Sequence, residues 1–148
     1  MSARLLLLFL VPTVAMAVDG SVPDSELSLG GVAIGQSPVA VVAMLGEPLR
    51  KEEMPDFIDL DYYYSQVRVS FNTGTVAGLR SEDPKTCTPR GLCPGDGFDK
   101  MKLLYGVPKV SERESGRFYE YYGSDGACWL EIPAKGKEVA SLSVVCMP

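Results

Sequence analysis

Apolar and polar positions along this chain run through the same order twice. Residues 30–48 read GGVAIGQSPVAVVAMLGEP and residues 90–108 read RGLCPGDGFDKMKLLYGVP. Gly31, Gly35, Gly46 and Pro48 fall on Gly91, Gly95, Gly106 and Pro108 at a constant offset of 60. A period of that size implies two copies of one supersecondary unit. Each copy opens with a short helix. In the first, Ser37 is placed to cap and Pro38 suits the first helical position, where its missing N–H is no loss; residues 39–45 follow and Gly46 stops the helix. In the second, Asp96 or Gly97 opens the turn, 98–105 form the helix and Gly106 ends it. Val41, Met44 and Leu45 match Met101, Leu104 and Tyr105, and a spacing of three and four puts each trio on one face to bury. Helices this short need a surface to dock on.

That surface follows in each copy. Val67, Val69 and Phe71 alternate with Arg68, Ser70 and Asn72, the pattern of a strand with one wet face. Residues 60–64, 67–71 and 75–79 read as three strands, the last two joined by Asn72-Thr73-Gly74, whose glycine can take the left-handed hairpin position. In the second copy the strands are 118–122, 128–132 and 139–145, with Cys128, Leu130 and Ile132 in the buried phase and Trp129 and Glu131 in the outer one. The expected fold is α+β: two tandem repeats, each a short helix followed by a three-stranded antiparallel meander, packed as one compact body. The first repeat spans 29–83 and the second, disulfide-stabilised, 84–148. Residues 18–28 are expected as a flexible leader with at most a short strand around Leu27 and Leu29. Polar loops are expected over 50–59 and 109–117, and a stiff linker over 81–90.

The first 17 residues change the picture of where the protein works. One charge at Arg4, an apolar run from Leu5 to Val14, then Ala15-Met16-Ala17 read as a signal peptide, too short to be a membrane span. No cysteine sits at the cleavage point, so no lipid anchor is expected, and the location is periplasmic or secreted. The net charge is −5, and −6 once Arg4 is removed with the leader. An acidic chain repels nucleic acid and anionic lipid.

Four cysteines, Cys87, Cys93, Cys128 and Cys146, in an exported chain without His read as two disulfides and not as metal ligands. If Val139 and Leu142 both face the core across a bulge, Cys146 shares that side with Cys128 on the neighbouring strand. That favours Cys128–Cys146 with Cys87–Cys93. The rival is Cys87–Cys146 with Cys93–Cys128, and sequence leaves three connectivities open.

Tandem helix-then-meander units, with G-V/L-x-x-G before each helix and L/Y-G-x-P after it, resemble the β-lactamase-inhibitor-protein-like superfamily. The single unit resembles the small outer-membrane assembly lipoproteins. The resemblance covers nearly all of the exported chain and rests on turn residues and periodicity. It implies a sheet surface that binds other proteins, often through aromatic side chains. The cysteine placement departs from the inhibitors, and the lipidated N-terminal Cys of the assembly lipoproteins is missing.

Three kinds of side chain are candidates for function. Tyr62, Tyr64, Tyr119, Tyr121 and Trp129 are large, stiff and amphipathic, as protein-binding hot spots are; their alternative role is to fill a small core. Glu52, Glu53, Asp56, Asp59 and Asp61 form an acidic cluster without Ca²⁺-loop spacing, which reads as a solvated loop. Glu120 and Glu131 are the strand carboxylates that a two-carboxylate hydrolase would use. Without His, Ser–His and Cys–His nucleophiles are excluded, and no phosphate-loop motif is present. The expected function is therefore a non-catalytic, cofactor-free exported module that binds a protein partner in the envelope or outside the cell, of inhibitor, immunity or envelope-assembly type. The alternative is a structural envelope or small-ligand-binding module with a tyrosine-lined cleft.

Overall fold

The computed structural model describes residues 19–148, so the expected signal peptide lies outside the described residues. A small ribbon of β1 (Ser28–Leu29) and β2 (Val32–Ala33) precedes α1 (Pro38–Leu45). Four strands follow: β3 (Arg50–Glu53), β4 (Leu60–Tyr63), β5 (Arg68–Asn72) and β6 (Thr75–Ser81). After an irregular connection comes α2 (Phe98–Tyr105), again with four strands behind it: β7 (Lys109–Arg113), β8 (Gly116–Tyr122), β9 (Cys128–Pro133) and β10 (Leu142–Cys146). All eight join one antiparallel sheet in the order β3-β4-β5-β6-β10-β9-β8-β7. Its centre is the pairing of β6 with β10, where Leu79 lies opposite Val144 and Ser81 opposite Leu142. Among the described residues the chain is thus an α+β body built on one continuous eight-stranded sheet, with the β1–β2 ribbon apart from it.

Each helix is followed by four strands where apolar alternation predicted three. The additional strands, β3 and β7, occupy the two edges of the sheet and lie in the segments expected as polar loops. They are mostly exposed and rich in charge. An edge strand that buries neither face carries no apolar alternation, and its charges discourage pairing with a second molecule.

The helices form as their ends dictate. Ser37 Oγ accepts the Ala40 N–H at 3.2 Å, and Gly46 and Gly106, at φ 82° and 78°, stop the two helices in a region that costs any residue with a Cβ. Val41, Met101 and Tyr105 are buried, with Leu45 and Leu104 partly so. Met44, expected on the buried face, is 47% exposed.

The segment expected as a flexible leader is tied down instead. Val22 and Leu27 are in the core. The Tyr122 N–H donates to Gly20 O, the Val22 N–H donates to Tyr122 O, and Asp24 accepts from the Ser124 N–H and hydroxyl. Buried Glu26 lies 2.7 Å from the Tyr105 hydroxyl, which also meets Thr88 Oγ1 at 2.6 Å. Burial, followed by the neighbouring Glu26, pushes the Tyr105 hydroxyl well above its ordinary value. The leader, the connection and α2 are therefore joined at one point.

The disulfides are Cys87–Cys93 and Cys128–Cys146, and Cys128 and Cys146 are ladder partners across β9 and β10. The last strand begins at Leu142, not at Val139. Val139 is buried through a separate exchange, donating to Asp96 O and accepting from the Gly95 N–H, both at 2.7 Å.

Candidate binding surface

Ladder register assigns every strand residue to one of two faces, because directly paired residues share a side. Tyr62, Val69, Leu79, Val144, Leu130 and Tyr121 form one continuous row across the sheet. This row packs under α1 and α2. Tyr62 meets Phe71 edge-on at 4.8 Å, Phe98 of α2 meets Tyr119 at 5.2 Å, and Tyr105 meets Tyr121 at 5.4 Å. Tyr64 and Tyr121 donate their hydroxyls to the carbonyls of Gly46 and Gly106, at 2.9 and 2.8 Å. Each hydroxyl thereby satisfies a carbonyl at a helix end that has no partner within the helix.

The four tyrosines expected as surface contacts therefore belong to the helix-covered side. Tyr62 and Tyr121 are buried, and Tyr64 and Tyr119 are partly buried against the core. Of the five expected contact residues, only Trp129 lies on the face opposite the helices. Its company there is Tyr63, Phe118 and Tyr122, the other phase of the same aromatic runs. Runs such as Tyr62-Tyr63-Tyr64 and Tyr119-Glu120-Tyr121-Tyr122 place an aromatic in both phases, so alternation could not choose between them.

Two rows define the face opposite the helices. The first is Arg50, Tyr63, Arg68, Arg80, Ser143, Glu131, Glu120 and Lys109, one residue from each strand in unbroken register. The second is Glu52, Asp61, Ser70, Gly78, Val145, Trp129 and Tyr122. Gly78 and the buried Ser70 and Ser143 keep the middle low. A Cβ at Gly78 would lie 3.3 Å from Ser70 Cβ. Above this floor is a hollow of about 290 Å³, walled by Phe57 and Ile58 of the β3–β4 loop and by Arg68, Arg80 and Glu131.

The β7–β9 end of this face is organised by Arg113. Its guanidinium reaches both Glu120, which is 2% exposed, and Glu131, at 2.7 Å. Hydrogen bonding to Glu131, more than the opposing effect of burial, holds Arg113 charged to a still higher pH than usual. The Tyr122 hydroxyl donates to the second oxygen of Glu120 at 2.6 Å, and Trp129 Nε1 donates to Glu131 at 3.2 Å. The two rings stack at 5.3 Å, Lys109 Nζ sits 4.8 Å from the Tyr122 ring, and Arg113 lies over Phe118. Burial, then the hydrogen bond to Glu120, pushes the Tyr122 hydroxyl up to about 12. Every polar head in this cluster has a partner, so the aromatic surfaces are held in fixed orientations. Arg113 was missed in sequence because it falls in a segment expected as a loop.

The β3–β4 end differs. Arg50 lies 3.7 Å over the Tyr63 ring and pairs with Glu52. Asp61, 4% exposed, faces Glu52 across the strands, and its Oδ1 has no hydrogen-bond partner among the described residues. The acidic cluster is dispersed: Glu52 and Asp61 lie on the sheet, and Asp59 accepts the Thr73 N–H at 2.7 Å.

No known family pattern matches the chain, and no curated protein matches it. Its fold is similar to that of solved bacterial proteins. A cysteine-rich secretory protein from Staphylococcus aureus superposes with a TM-score of 0.60 at 11% identity, over 86% of this chain and 49% of that one. An extracellular protein containing an SCP domain from Bacillus anthracis gives 0.57 at 11% identity, over 93% and 50%. A DUF4309 family protein from Bacillus subtilis gives 0.50 at 16% identity, over 86% and 88%. The chain spans about half the length of the first two. These likenesses concern the fold.

Proposed function

We propose that this chain is a non-catalytic, exported module that binds a protein partner on the sheet face opposite its helices, with Trp129, Tyr122 and Phe118 as the centre of contact. The observation that carries this reading is the Arg113 cluster. It fixes three aromatic surfaces on a face that no helix of the described residues covers, and preordered aromatics lose little freedom on binding. Both carboxylates that a hydrolase would need are committed to the same guanidinium, which supports a role in holding the surface. Two disulfides and the signal-like residues 1–17 support export. The matched elements, α1 with β3–β6 and α2 with β7–β10, support descent from one duplicated unit of the inhibitor-protein-like plan, with four strands per copy.

The test is capture of a partner from envelope extract with residues 18–148, followed by affinity measurement on variants. Trp129→Ala, of verified fold, is expected to weaken binding at least about tenfold, as loss of a hot-spot aromatic does. Val39→Asp and Leu103→Asp alter the most exposed apolar positions of the helices and are expected to leave affinity unchanged. Loss of binding with the helix variants while Trp129→Ala binds normally would overturn the reading. A small-ligand role is supported by one other feature, a hollow of about 250 Å³ beside α1 lined by Pro38, Val39, Val42 and Tyr62. A compound copurifying with the protein and displaced by Val42→Trp would favour it.

A further inference from the structure

Arg68 and Arg80 are direct ladder partners on the open face. Like charges placed opposite one another on adjacent strands repel. Arg80 is answered by Glu82 at 2.7 Å. Arg68 is exposed, and its guanidinium makes no hydrogen bond or ion pair among the described residues. The acid nearest along the row beyond Ser143 is Glu131, which is already engaged by Arg113 and Trp129. The two guanidinium groups also stand between two depressions. One is the hollow walled by Phe57 and Ile58, and the other, about 240 Å³, is lined by Tyr64, Gln66 and Glu82.

We infer that Arg68, with Arg80 beside it, receives the carboxylate of an acidic side chain from the partner protein, while an apolar neighbour of that side chain enters the Phe57–Ile58 hollow. This rests on the sheet-face reading above and names what the partner must present. A guanidinium presents paired N–H groups that match the two oxygens of a carboxylate, and the exposed Arg68, which has no acid of its own beside the half-buried Arg80, gains most from such a partner. The hollow has the volume of one or two side chains and falls just below the usual range for small-molecule pockets. The chain as a whole is acidic, so an extended polyanion is repelled at a distance. A single carboxylate carried on an otherwise neutral or basic surface meets Arg68 first, because the neighbouring Glu82 and Glu131 are already paired with Arg80 and Arg113.

The experiment follows backbone amide signals during titration with the acetylated, amidated dipeptide Glu-Leu, with its Gln-Leu counterpart, and with inorganic phosphate. Saturable shifts at Arg68, Arg80 and Ser143 are expected with Glu-Leu, at least about fivefold weaker with Gln-Leu, lost in Arg68→Ala and partly retained in Arg68→Lys. Equal response to Glu-Leu and Gln-Leu, or an unchanged response in Arg68→Ala, would overturn the inference. So would phosphate binding more tightly than Glu-Leu, which would point to a free oxyanion as ligand. With a captured partner, Arg68→Glu is expected to weaken binding about tenfold or more while the fold is retained. A partner whose binding needs Trp129 but tolerates Arg68→Glu leaves the sheet-face reading standing and removes this one. If the intact chain captures nothing, the sheet-face reading falls and the dipeptide titration still decides the carboxylate site.

Discussion

Single side chains in this protein do two kinds of work, and the tyrosines show both. Tyr105 joins three separate segments through Glu26 and Thr88, so its hydroxyl is a structural group. Tyr105→Phe leaves a buried carboxylate short of a donor and is expected to cost about 1–3 kcal/mol by urea denaturation. Tyr122 instead orients the open-face cluster through Glu120. Its folded value, about 12, stands above the ordinary 10, and Tyr105 and Tyr121 are raised in the same direction. A raised tyrosine means that the folded state keeps protons the unfolded chain has lost. The corresponding stability is fully present below pH 10 and drains away as pH rises toward and through about 12. Urea midpoints measured from pH 8 upward should be flat and then fall above pH 10, with a shallower fall in Tyr122→Phe. An equal slope in that variant would remove Tyr122 from the account.

At the scale of elements, the caps and turns form through local chemistry, and one turn carries strain. The β5–β6 hairpin turns through Thr73 and Gly74 at φ 47° and 78°. A β-branched residue is costly at positive φ, and Asn-Gly is the favoured pair for a two-residue loop of this kind. Thr73 donates its N–H to Asp59, a bond that any residue but proline can make, and its hydroxyl to Asn72 Oδ1 in an exposed bond that water replaces at little cost. Thr73→Asn is therefore expected to stabilise the protein by about 0.5–1 kcal/mol, read from the denaturation midpoint. The edge strands β3 and β7 illustrate the opposite case. Nothing local marks them as strands, and they exist because β4 and β8 offer each of them a ladder.

For the molecule as a whole, the decisive contact is β6 against β10, which turns two four-stranded sets into one sheet. The Cys128–Cys146 bridge closes a loop with a sequence separation of 18 beside that seam, whereas Cys87–Cys93 closes one of 6. In the chain-entropy account the longer loop constrains the unfolded state more. Replacing Cys128 and Cys146 together by Ala is expected to cost about 3 kcal/mol, and replacing Cys87 and Cys93 to cost less, as read from guanidinium unfolding. If the second pair costs more, the tie it makes to the Thr88–Glu26 region outweighs loop length.

The sequence by itself determined the helices, their Ser37 cap and glycine stops, the buried phase of β5 and β9, and the outward position of Trp129. Each of these depends on contacts within a few residues or on an alternation in which one phase is plainly polar. Only the tertiary structure decided which tyrosines face outward. In the aromatic runs both phases are apolar, and the choice rests on Tyr64 and Tyr121 reaching the carbonyls of Gly46 and Gly106 at the helix ends. It likewise decided that residues 19–28 pack, because Val22 and Glu26 find their partners about a hundred and about eighty residues further on. The candidate surface belongs to the same class: Arg68, Arg80, Arg113 and Trp129 share one face through ladder pairings between distant segments, which no local pattern encodes.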